Sequence, residues 1–571
     1  MSLLNVVLDF PINEYTVQRL YFKNPIRTIN AVTDSELNSC LNQIEIEQKK
    51  GNYIVGFIGY DYALTSYKAY FGVYKKPLFL NQLNPNINSK ATLKNDWILS
   101  ESISQFRDKI NRIKEHINNG DCYQINYTIR AHNQLLSGNA IDLYHHLVDC
   151  QSAKYSAFIE HEDFTILSFS PELFFKQKNR LIETKPMKGT RPLIQSNDLE
   201  NQINLLKNSK KDQSENVMIV DLLRNDLSKI STIGTVKTTK LFAIEPYQDV
   251  LQMTSTISSE LKNDITFKDV ITALFPCGSI TGAPKKKVME IINELEDEPR
   301  GPYCGAIGIV SPDDRYIFNV PIRTIFHNKH DNKLVYGVGS GITWDSKAEE
   351  EYEEINNKIN FLHKDVPISL FETIYLHYGK CLLWDYHFSR IQRSAKELGF
   401  LLPNEIHYKS IYDLHELTEE GCYRAKFIYH RNGIARWEFF PVPTTPDMPV
   451  VQLADTPIHS KDFRILHKTT DRTIYDSLFT EENSSYFDLI LWNEKQEITE
   501  FTRGNLVIEI DQKLYTPSLE SGLLPGVLRQ VLLENKIISE RKVYKQDIYQ
   551  AQNIWFINSL RGWVKVILKR N

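Results

Sequence analysis

Nowhere in the chain do two cysteines stand two residues apart. The seven cysteines (Cys40, Cys122, Cys150, Cys277, Cys304, Cys381 and Cys422) are scattered singly. An odd, dispersed set excludes a disulfide framework and a cysteine-rich zinc site, and points to a reducing compartment. No apolar run approaches the roughly 18 to 20 residues that span a membrane. The opening stretch MSLLNVVLDFPINEY lacks the basic region and long apolar core of a secretory signal, so a cytoplasmic location is expected. Charge of one sign is lacking too: 67 Lys and Arg against 71 Asp and Glu leave a net charge of -4. That balance gives no electrostatic reason for a nucleic-acid or membrane partner. Low-complexity tracts and short-period repeats are also missing. The chain does have length and apolar content. With 571 residues and 42% hydrophobic residues it exceeds what one core organises, so two or more domains are expected.

Short β-rich runs, such as Tyr53–Tyr60, Phe164–Phe169 and Tyr303–Val310, alternate with helical stretches, which predicts α+β domains with large sheets. A helical pattern closes at Leu362, His363 to Pro367 break it, and a strand-like run restarts at Leu370. The Pro-rich run Pro441–Pro449 reads as a semi-rigid linker. The division is therefore 1–363 and 367–571, the second part bilobal, with lobes 367–440 and 450–571 around the linker 441–449.

Four segments of the first part invite a chemical reading. In KDQSENVMIVDLLRNDLSKI, Met218, Ile219, Leu222 and Leu223 follow Glu215 at helical spacing, which puts Glu215 on the core-facing stripe. A buried carboxylate needs a cation; an exposed first-turn Glu fits the pattern equally. In DSKAEEEYEEINNKINFL, Ser346 and Glu349 form a capping box. Glu351, Glu354 and Lys358 line up beside the apolar stripe. Carboxylates from two helices would make an oxygen-only site suited to Mg²⁺, whereas a solvated acidic face is the ordinary alternative. In GSITGAPKKKVMEIINELE, Ser279 or Thr281 can cap a helix that Pro284 begins, with glycines exposing N–H groups to an anion. In SPELFFKQKNRLIETKPMKGTRP, Lys188 lies in a Pro- and Gly-bounded loop with Lys185 and Arg191 nearby, where neighbouring cations would favour the neutral, nucleophilic amine.

Taken together with Y-C-G-A-I-G at Tyr303, P-I-R-T at Pro321 and G-S-G-I-T-W-D-S at Gly339, these segments resemble the chorismate-utilising family in content and order. The family includes anthranilate synthase, isochorismate synthase and aminodeoxychorismate synthase component I. The resemblance implies a large α/β sandwich domain in which Glu215 and Glu354, with Glu351 as accessory, hold Mg²⁺ against the ring carboxylate. It gives Arg323 and Tyr303 the enolpyruvyl carboxylate, helped by backbone groups at Gly339. Gly189 and Thr190 would line the ring site, Glu172 would protonate the departing 4-hydroxyl, and Lys358 would supply positive charge. Lys188 resembles the lysine of the 4-aminating members, whose amine attacks C2; members that bring an external nucleophile to C2 carry a small residue there. None of the cysteines lies in a G-x-C-x-G turn, so ammonia is expected from a separate glutaminase subunit or as free ammonium. The N-terminal portion, including Gly51–Tyr62, is a candidate docking surface.

In the second part, Leu370–Pro403 reads as strand, turn at Tyr378-Gly379-Lys380, strand and amphipathic helix. H-K-T-T at His467, I-T-E-F-T-R-G-N at Ile498, G-L-L-P-G-V-L-R at Gly522 and N-S-L-R-G at Asn558 follow. In this order they resemble the fold-type IV pyridoxal-phosphate enzymes, which include aminodeoxychorismate lyase and the branched-chain and D-amino-acid aminotransferases. The resemblance makes Lys468 the lysine that carries the cofactor, Glu500 the partner of its pyridine nitrogen, and Arg390, Val527, Leu528 and Ser559 the phosphate contacts. It also implies a homodimer through this part. The usual first strand before F-E-T is shortened to Val366-Pro367-Ile368-Ser369. Both resemblances point to consecutive steps from chorismate to 4-aminobenzoate. The alternative is anthranilate synthase component I fused to an aminotransferase.

Overall fold

The computed structural model describes residues 4–78, 91–192, 199–247, 250–414, 421–480 and 482–569. The chain divides into two compact units, Met1–Pro11 with Gln18–Pro367, and Ile12–Val17 with Ile368–Asn571.

The first unit is built on two antiparallel sheets. One runs, in spatial order, through Gly282–Ala283, Gln124–Ser137, Lys333–Ile342, Thr324–Asn328, Phe164–Ser170, Tyr155–Glu160 and Asn5–Pro11. The other runs through Met187–Pro192, Val250–Glu260, Leu181–Lys185, Leu173–Lys178, Arg315–Asn319, Ala306–Ser311, Tyr53–Ile58, Ala69–Tyr74 and Arg27–Ala31. Their facing sides share one apolar core that includes Leu8, Val55, Phe57, Ile159, Ile166, Ile307 and Phe326. The outer face of the first sheet is covered by Ile103–Asn118, Ala140–Gln151, Lys285–Leu295 and Ala348–Ile359. Asp34–Lys49, Lys210–Ile230 and Phe267–Leu274 cover the second. Strands buried on both faces read as unbroken apolar runs, such as YIVGFI and AYFGVY, because no face is left for polar alternation.

In the second unit the strands Leu370–His377, Cys422–Tyr429 and Ala435–Pro441 form one lobe, packed by the helix Trp384–Glu397. The other lobe is a sheet in the order Ile498–Phe501, Asp488–Trp492, Val450–Leu453, Gly562–Leu568, Asn553–Asn558, Asn505–Ile510, Lys513–Pro517 and Ser539–Arg541. A core around Leu489, Ile490, Phe501, Ile508 and Phe556 holds it together.

Several local expectations change. Ser346 does not cap its helix. Its hydroxyl accepts from the Thr343 amide at 3.1 Å, the N-cap is Lys347, and Glu349 pairs with Arg107 instead. Neither Ser279 nor Thr281 caps the helix Lys285–Leu295, whose N-cap is Pro284; Thr281 donates to the Cys277 carbonyl at 3.0 Å. Tyr303 precedes its strand, because Cys304 takes a left-handed φ of 64° before extension resumes at Ala306. No second strand follows Gly379; a single bridge, His377 to Lys380, closes the turn, and the helix starts at Trp384. Within Gly51–Tyr62, the strand Tyr53–Ile58 lies inside the second sheet between Ala306–Ser311 and Ala69–Tyr74 with Ile54 to Ile58 buried, whereas Gly51 and Tyr62 at its ends are exposed. No helix among the described residues is long and apolar enough to cross a membrane.

Candidate active sites

In the first unit the ends of the two sheets meet. Lys188 was expected in a loop, but it belongs to the strand Met187–Pro192, where the pairing with Val250–Glu260 slips between Met187 and Thr190. Gly189 takes a φ of 96° at that irregularity, and a Cβ there would stand 2.9 Å from Asp212 Cβ, so both conformation and space require glycine. A Cβ at Gly341, on the first sheet, would lie 2.3 Å from Gln124 Nε2 and 2.9 Å from Lys188 Nζ. The bare backbone at 341 thus leaves room for an amide and an amine from separate strands.

Gln124 was not singled out from sequence. It is buried, and neither end of its amide has a partner among the described residues. Nothing in the run D-C-Y-Q-I-N-Y distinguishes it, because its position beside Lys188 depends on pairing of its strand with Lys333–Ile342, far along the chain.

Glu172 follows a turn pinned by its neighbours: the Ser170 hydroxyl donates to the Val320 carbonyl at 2.5 Å and accepts from the Glu172 amide at 3.1 Å. Burial raises its carboxyl to about 7, against the opposing pull of Ser279, Lys188 and the Met187 backbone. A carboxyl poised there can hold a proton at neutral pH and release it.

Glu215, on the helix Lys210–Ile230, is likewise raised by burial, which Lys188 and Lys211 oppose while Asp212 and Glu351 reinforce it. For Glu354, on Ala348–Ile359, burial pulls upward, but Lys358, Lys188 and Lys211 outweigh it and hold the carboxyl below its usual value. Glu354 still reaches solvent, its side chain 52% accessible, whereas Glu351 is buried. Lys358 is engaged with these groups: its Nζ stands 2.6 Å from Glu354 Oε1 and donates to the Gly339 carbonyl at 2.8 Å. That carbonyl therefore faces a cation. Gly339 is needed for close approach, since a Cβ would stand 2.2 Å from the Tyr127 carbonyl. Among the described residues, the one cluster of possible ligands within 4.8 Å of one another is His161, Glu162 and Asp163; the Glu215, Glu351 and Glu354 carboxylates are not drawn together to that extent.

Around this centre, Arg323 adopts a left-handed φ of 52° and donates to Gln151 Oε1. Tyr303 is buried beneath the Arg130 guanidinium, 5.6 Å from its ring centre. Thr190 is exposed. The two cations expected to act on Lys188 are otherwise placed. Lys185 pairs with Glu245, and Arg191 is exposed. Glu245 also binds Lys154 at 2.9 Å, and burial's upward pull loses to the two lysines, which hold it at about 2. It anchors Lys185, three residues before Lys188.

In the second unit the Lys468 carbonyl accepts from the Phe371 amide at 3.0 Å, and its Nζ stands over the Phe371 ring at 4.6 Å. Burial, reinforced by Arg390 and Arg472, lowers its amine to about 7. Glu500 accepts from the Tyr475 hydroxyl at 3.1 Å, the Leu524 amide at 3.2 Å and Asn505 Nδ2 at 3.3 Å, yet burial raises it to about 8. A buried acid facing a buried amine is the arrangement that the cofactor's ring nitrogen and aldehyde require. The buried Arg390 meets Glu372 with two of its nitrogens, Nε at 2.8 Å and Nη2 at 2.5 Å, and donates Nη1–H to the Pro525 carbonyl at 3.2 Å, which leaves two N–H groups for an anion. The helix Val527–Glu534 has Gly526 as N-cap and no side-chain cap, so the Val527 and Leu528 amides are available to a phosphate. Ser559, half-buried, lies at the end of Asn553–Asn558. Tyr475, Asn505, Glu372 and Arg472 were not identified in advance, although Glu372 and Asn505 stand inside quoted motifs.

Comparison with known proteins separates the same two regions. A family model described as chorismate binding enzyme matches residues 65–364, and one described as amino-transferase class IV matches residues 369–568. Over 276 residues the chain is 39% identical to aminodeoxychorismate synthase component 1 of Escherichia coli (strain K12), covering 48% of this chain and 60% of that protein. Over 293 residues it is 35% identical to an anthranilate synthase component 1 of Haloarcula marismortui, covering 51% and 57%. The chain thus spans about three fifths of the length of these curated relatives. The crystal structure of anthranilate synthase component I from Streptococcus pneumoniae TIGR4 superposes with a TM-score of 0.52 at 24% identity, covering 63% of this chain and 92% of that one, a likeness of fold.

Proposed function

The chain belongs to the chorismate binding enzymes, and from that premise we propose that it performs two consecutive steps of 4-aminobenzoate synthesis. The first unit aminates chorismate to 4-amino-4-deoxychorismate, and the second removes pyruvate from that intermediate to leave the aromatic amine. The observation that carries this reading is Lys188 Nζ beside Gly341 and Gln124, with the Glu172 carboxyl poised near 7 in the same cleft.

In the first step the Lys188 amine attacks C2, the ring double bonds shift, and the 4-hydroxyl leaves as water with the Glu172 proton. Ammonia then adds at C4 and expels the lysine, so chorismate and ammonia give aminodeoxychorismate and water. The Gln124 amide lies where it can hydrogen-bond an incoming small nucleophile. Arg323 and Tyr303 hold the enolpyruvyl carboxylate. Oxygen donors from two helices fit Mg²⁺. Glu215 and Glu354, with Glu351 behind them, would hold it, and it would bind the ring carboxylate that their own charges repel. Releasing Glu354 from Lys358 frees a ligand for the metal and a cation for the substrate.

In the second step pyridoxal phosphate, when bound, supplies the carbonyl that takes the substrate amine and stores the electrons of the C4–H bond. Lys468 would carry it, Glu500 would keep a proton on or beside its ring nitrogen, and Arg390 with the Val527 and Leu528 amides and Ser559 would hold its phosphate. Once the substrate amine has displaced it from the cofactor, the Lys468 amine would be available to take the C4 proton. Loss of the enolpyruvyl group as pyruvate then completes the aromatic ring.

Ammonia comes from a separate glutamine amidotransferase subunit, the protein works in a reducing cytoplasm, and its second unit pairs with that of another copy. The test is incubation of the full chain with chorismate, ammonium, Mg²⁺ and pyridoxal phosphate, followed by product identification. 4-Aminobenzoate with equimolar pyruvate is expected, and anthranilate would overturn the reading in favour of the fused anthranilate synthase. Chelation should stop chorismate consumption and spare conversion of supplied aminodeoxychorismate; equal loss of both activities would remove the metal from the site.

A further inference from the structure

In the second unit three guanidiniums gather where the nearby acids are already committed. Arg424 lies on Cys422–Tyr429, Arg503 just beyond Ile498–Phe501, and Arg561 in the turn between Asn553–Asn558 and Gly562–Leu568. Arg503 and Arg561 share the Phe487 ring, their guanidinium carbons 5.6 and 5.7 Å from its centre, and Arg424 stands over Phe440 at 4.2 Å. The Nε atoms of Arg424 and Arg561 are buried and have no hydrogen-bond partner among the described residues. Burial lowers Arg561 from its usual range, and Arg503 and Arg424 push the same way against Asp488 alone. Burial also lowers Arg424, opposed by Glu438.

These two acids have other work. Asp488 is wholly buried; its Oδ1 accepts from the Leu489 amide at 2.8 Å and from the Thr502 amide and hydroxyl at 3.0 and 2.6 Å, and its Oδ2 from Arg503 Nε at 3.0 Å. Glu438 accepts from Arg436 Nε at 2.8 Å. A guanidinium does not give up its proton in a protein. Two buried, unpaired Nε–H groups, within electrostatic reach of each other and of a third cation, therefore make a receptor for an anion, and the planar fork matches a carboxylate.

The cluster adjoins the cofactor residues. Arg503 is three residues beyond Glu500 and Arg561 two beyond Ser559, and Asn558 Nδ2 donates to the Arg503 carbonyl at 3.1 Å, which ties the two loops together. Lys426 shares a strand face with Arg424. Its Nζ stands 5.0 Å from the centre of the Phe371 ring, the ring that Lys468 Nζ faces at 4.6 Å.

We propose that Arg424 and Arg561 form the seat for a carboxylate of the second unit's substrate, with Arg503 held in place by Asp488 as the supporting cation. This rests on the reading of that unit as a lyase acting on a ring amine that carries two carboxylates. Seating one carboxylate away from the amine gives the ring a second anchor and so tightens its binding. A substrate whose single carboxylate adjoins its amine cannot engage both.

The test uses the full-length holoenzyme and its Arg424→Ala, Arg561→Ala and Arg561→Lys variants. For aminodeoxychorismate, KM should rise roughly 10- to 100-fold in each alanine variant, as for loss of a hydrogen-bonded charge. kcat, cofactor absorbance and amination by the first unit should hold, and Arg561→Lys should recover part of the loss. Isophthalate, a ring dicarboxylate without an amine, should shield Arg561 from phenylglyoxal in the parent, read by peptide mass spectrometry, and fail to do so in Arg424→Ala. Unchanged KM in both alanine variants overturns the proposal. So does loss of cofactor with KM preserved, since the anion would then be the cofactor's phosphate. If the parent does not turn aminodeoxychorismate into 4-aminobenzoate, the lyase reading fails, and isophthalate shielding still decides the anion seat by itself.

Discussion

The two candidate sites manage charge in opposite ways. In the first unit acids and lysines from separate elements act on one another, and Glu354 remains half accessible although Lys358 touches it. In the second, burial drives both key groups toward neutrality, with Lys468 lowered to about 7 and Glu500 raised to about 8. An open, charge-balanced cleft suits a metal and a doubly anionic substrate that must enter and leave. A dry pocket suits a cofactor that stays, because the protein's dipoles act there with little screening. The difference also sets the proton inventory: an acid raised to about 7, Glu172, in the first site, and an amine lowered to about 7 beside an acid raised to about 8 in the second.

The comparison breaks most visibly at Lys188. Lys188→Ala should lower amination about 1,000-fold or more, since a tethered nucleophile is worth at least that in effective concentration. Turnover of supplied aminodeoxychorismate should be unchanged, as a coupled assay for pyruvate would read. A smaller loss, roughly 100- to 1,000-fold, is expected for Glu172→Gln, which cannot donate the proton. Because the acid form is required and its carboxyl stands at about 7, the parental amination rate should fall as pH rises through 7 when free ammonia is held constant. The Gln variant should lose that limb. Glu245→Gln leaves the buried Lys154 and the half-buried Lys185 without their anion. About 3 kcal/mol of stability should go with it, and amination should drop about tenfold as Lys188's strand loosens, read by denaturant unfolding beside the assay.

The mildest effect sharpens the second site. Folded, cofactor-free chain holds a proton on Glu500 between the ordinary carboxyl value of 4.5 and about 8 that the unfolded chain releases. Stability from this group is therefore fully present at low pH and declines as pH rises through that window. Lys468 has the opposite sense. The folded chain lacks, between about 7 and the ordinary 10.5, a proton the unfolded chain keeps, so its penalty is relieved as pH rises. Glu500→Gln should flatten the decline between pH 5 and 7, a change of a few degrees in Tm, followed by calorimetry.

Much of this was readable in the sequence because the motifs carry backbone requirements as well as side chains. The irregular strand at Lys188 needs Gly189, close strand pairing needs Gly339, and Gly341 leaves room for the Gln124 and Lys188 side chains. Helical spacing put Glu215 on a core-facing stripe and Glu351 and Glu354 beside one. Tertiary partnership was not readable. Gln124 reaches Lys188 only through pairing of Gln124–Ser137 with Lys333–Ile342. Glu245 claims Lys185 through a strand that follows sixty residues later. Ser346 found a nearer amide than the helix offered. The apolar run at Tyr53 gave no sign whether its strand lay at an edge or inside a sheet.

The central claim is two separable sites acting in sequence, and mixing variants tests it most directly. With chorismate, ammonium, Mg²⁺ and pyridoxal phosphate, Lys188→Ala alone should yield no 4-aminobenzoate, and Lys468→Ala alone should accumulate aminodeoxychorismate. The two variants mixed in one vessel should restore 4-aminobenzoate and pyruvate in equal amounts. A mixture that stays inactive while each variant remains folded, or a Lys468→Ala chain that forms 4-aminobenzoate unaided, would contradict the account.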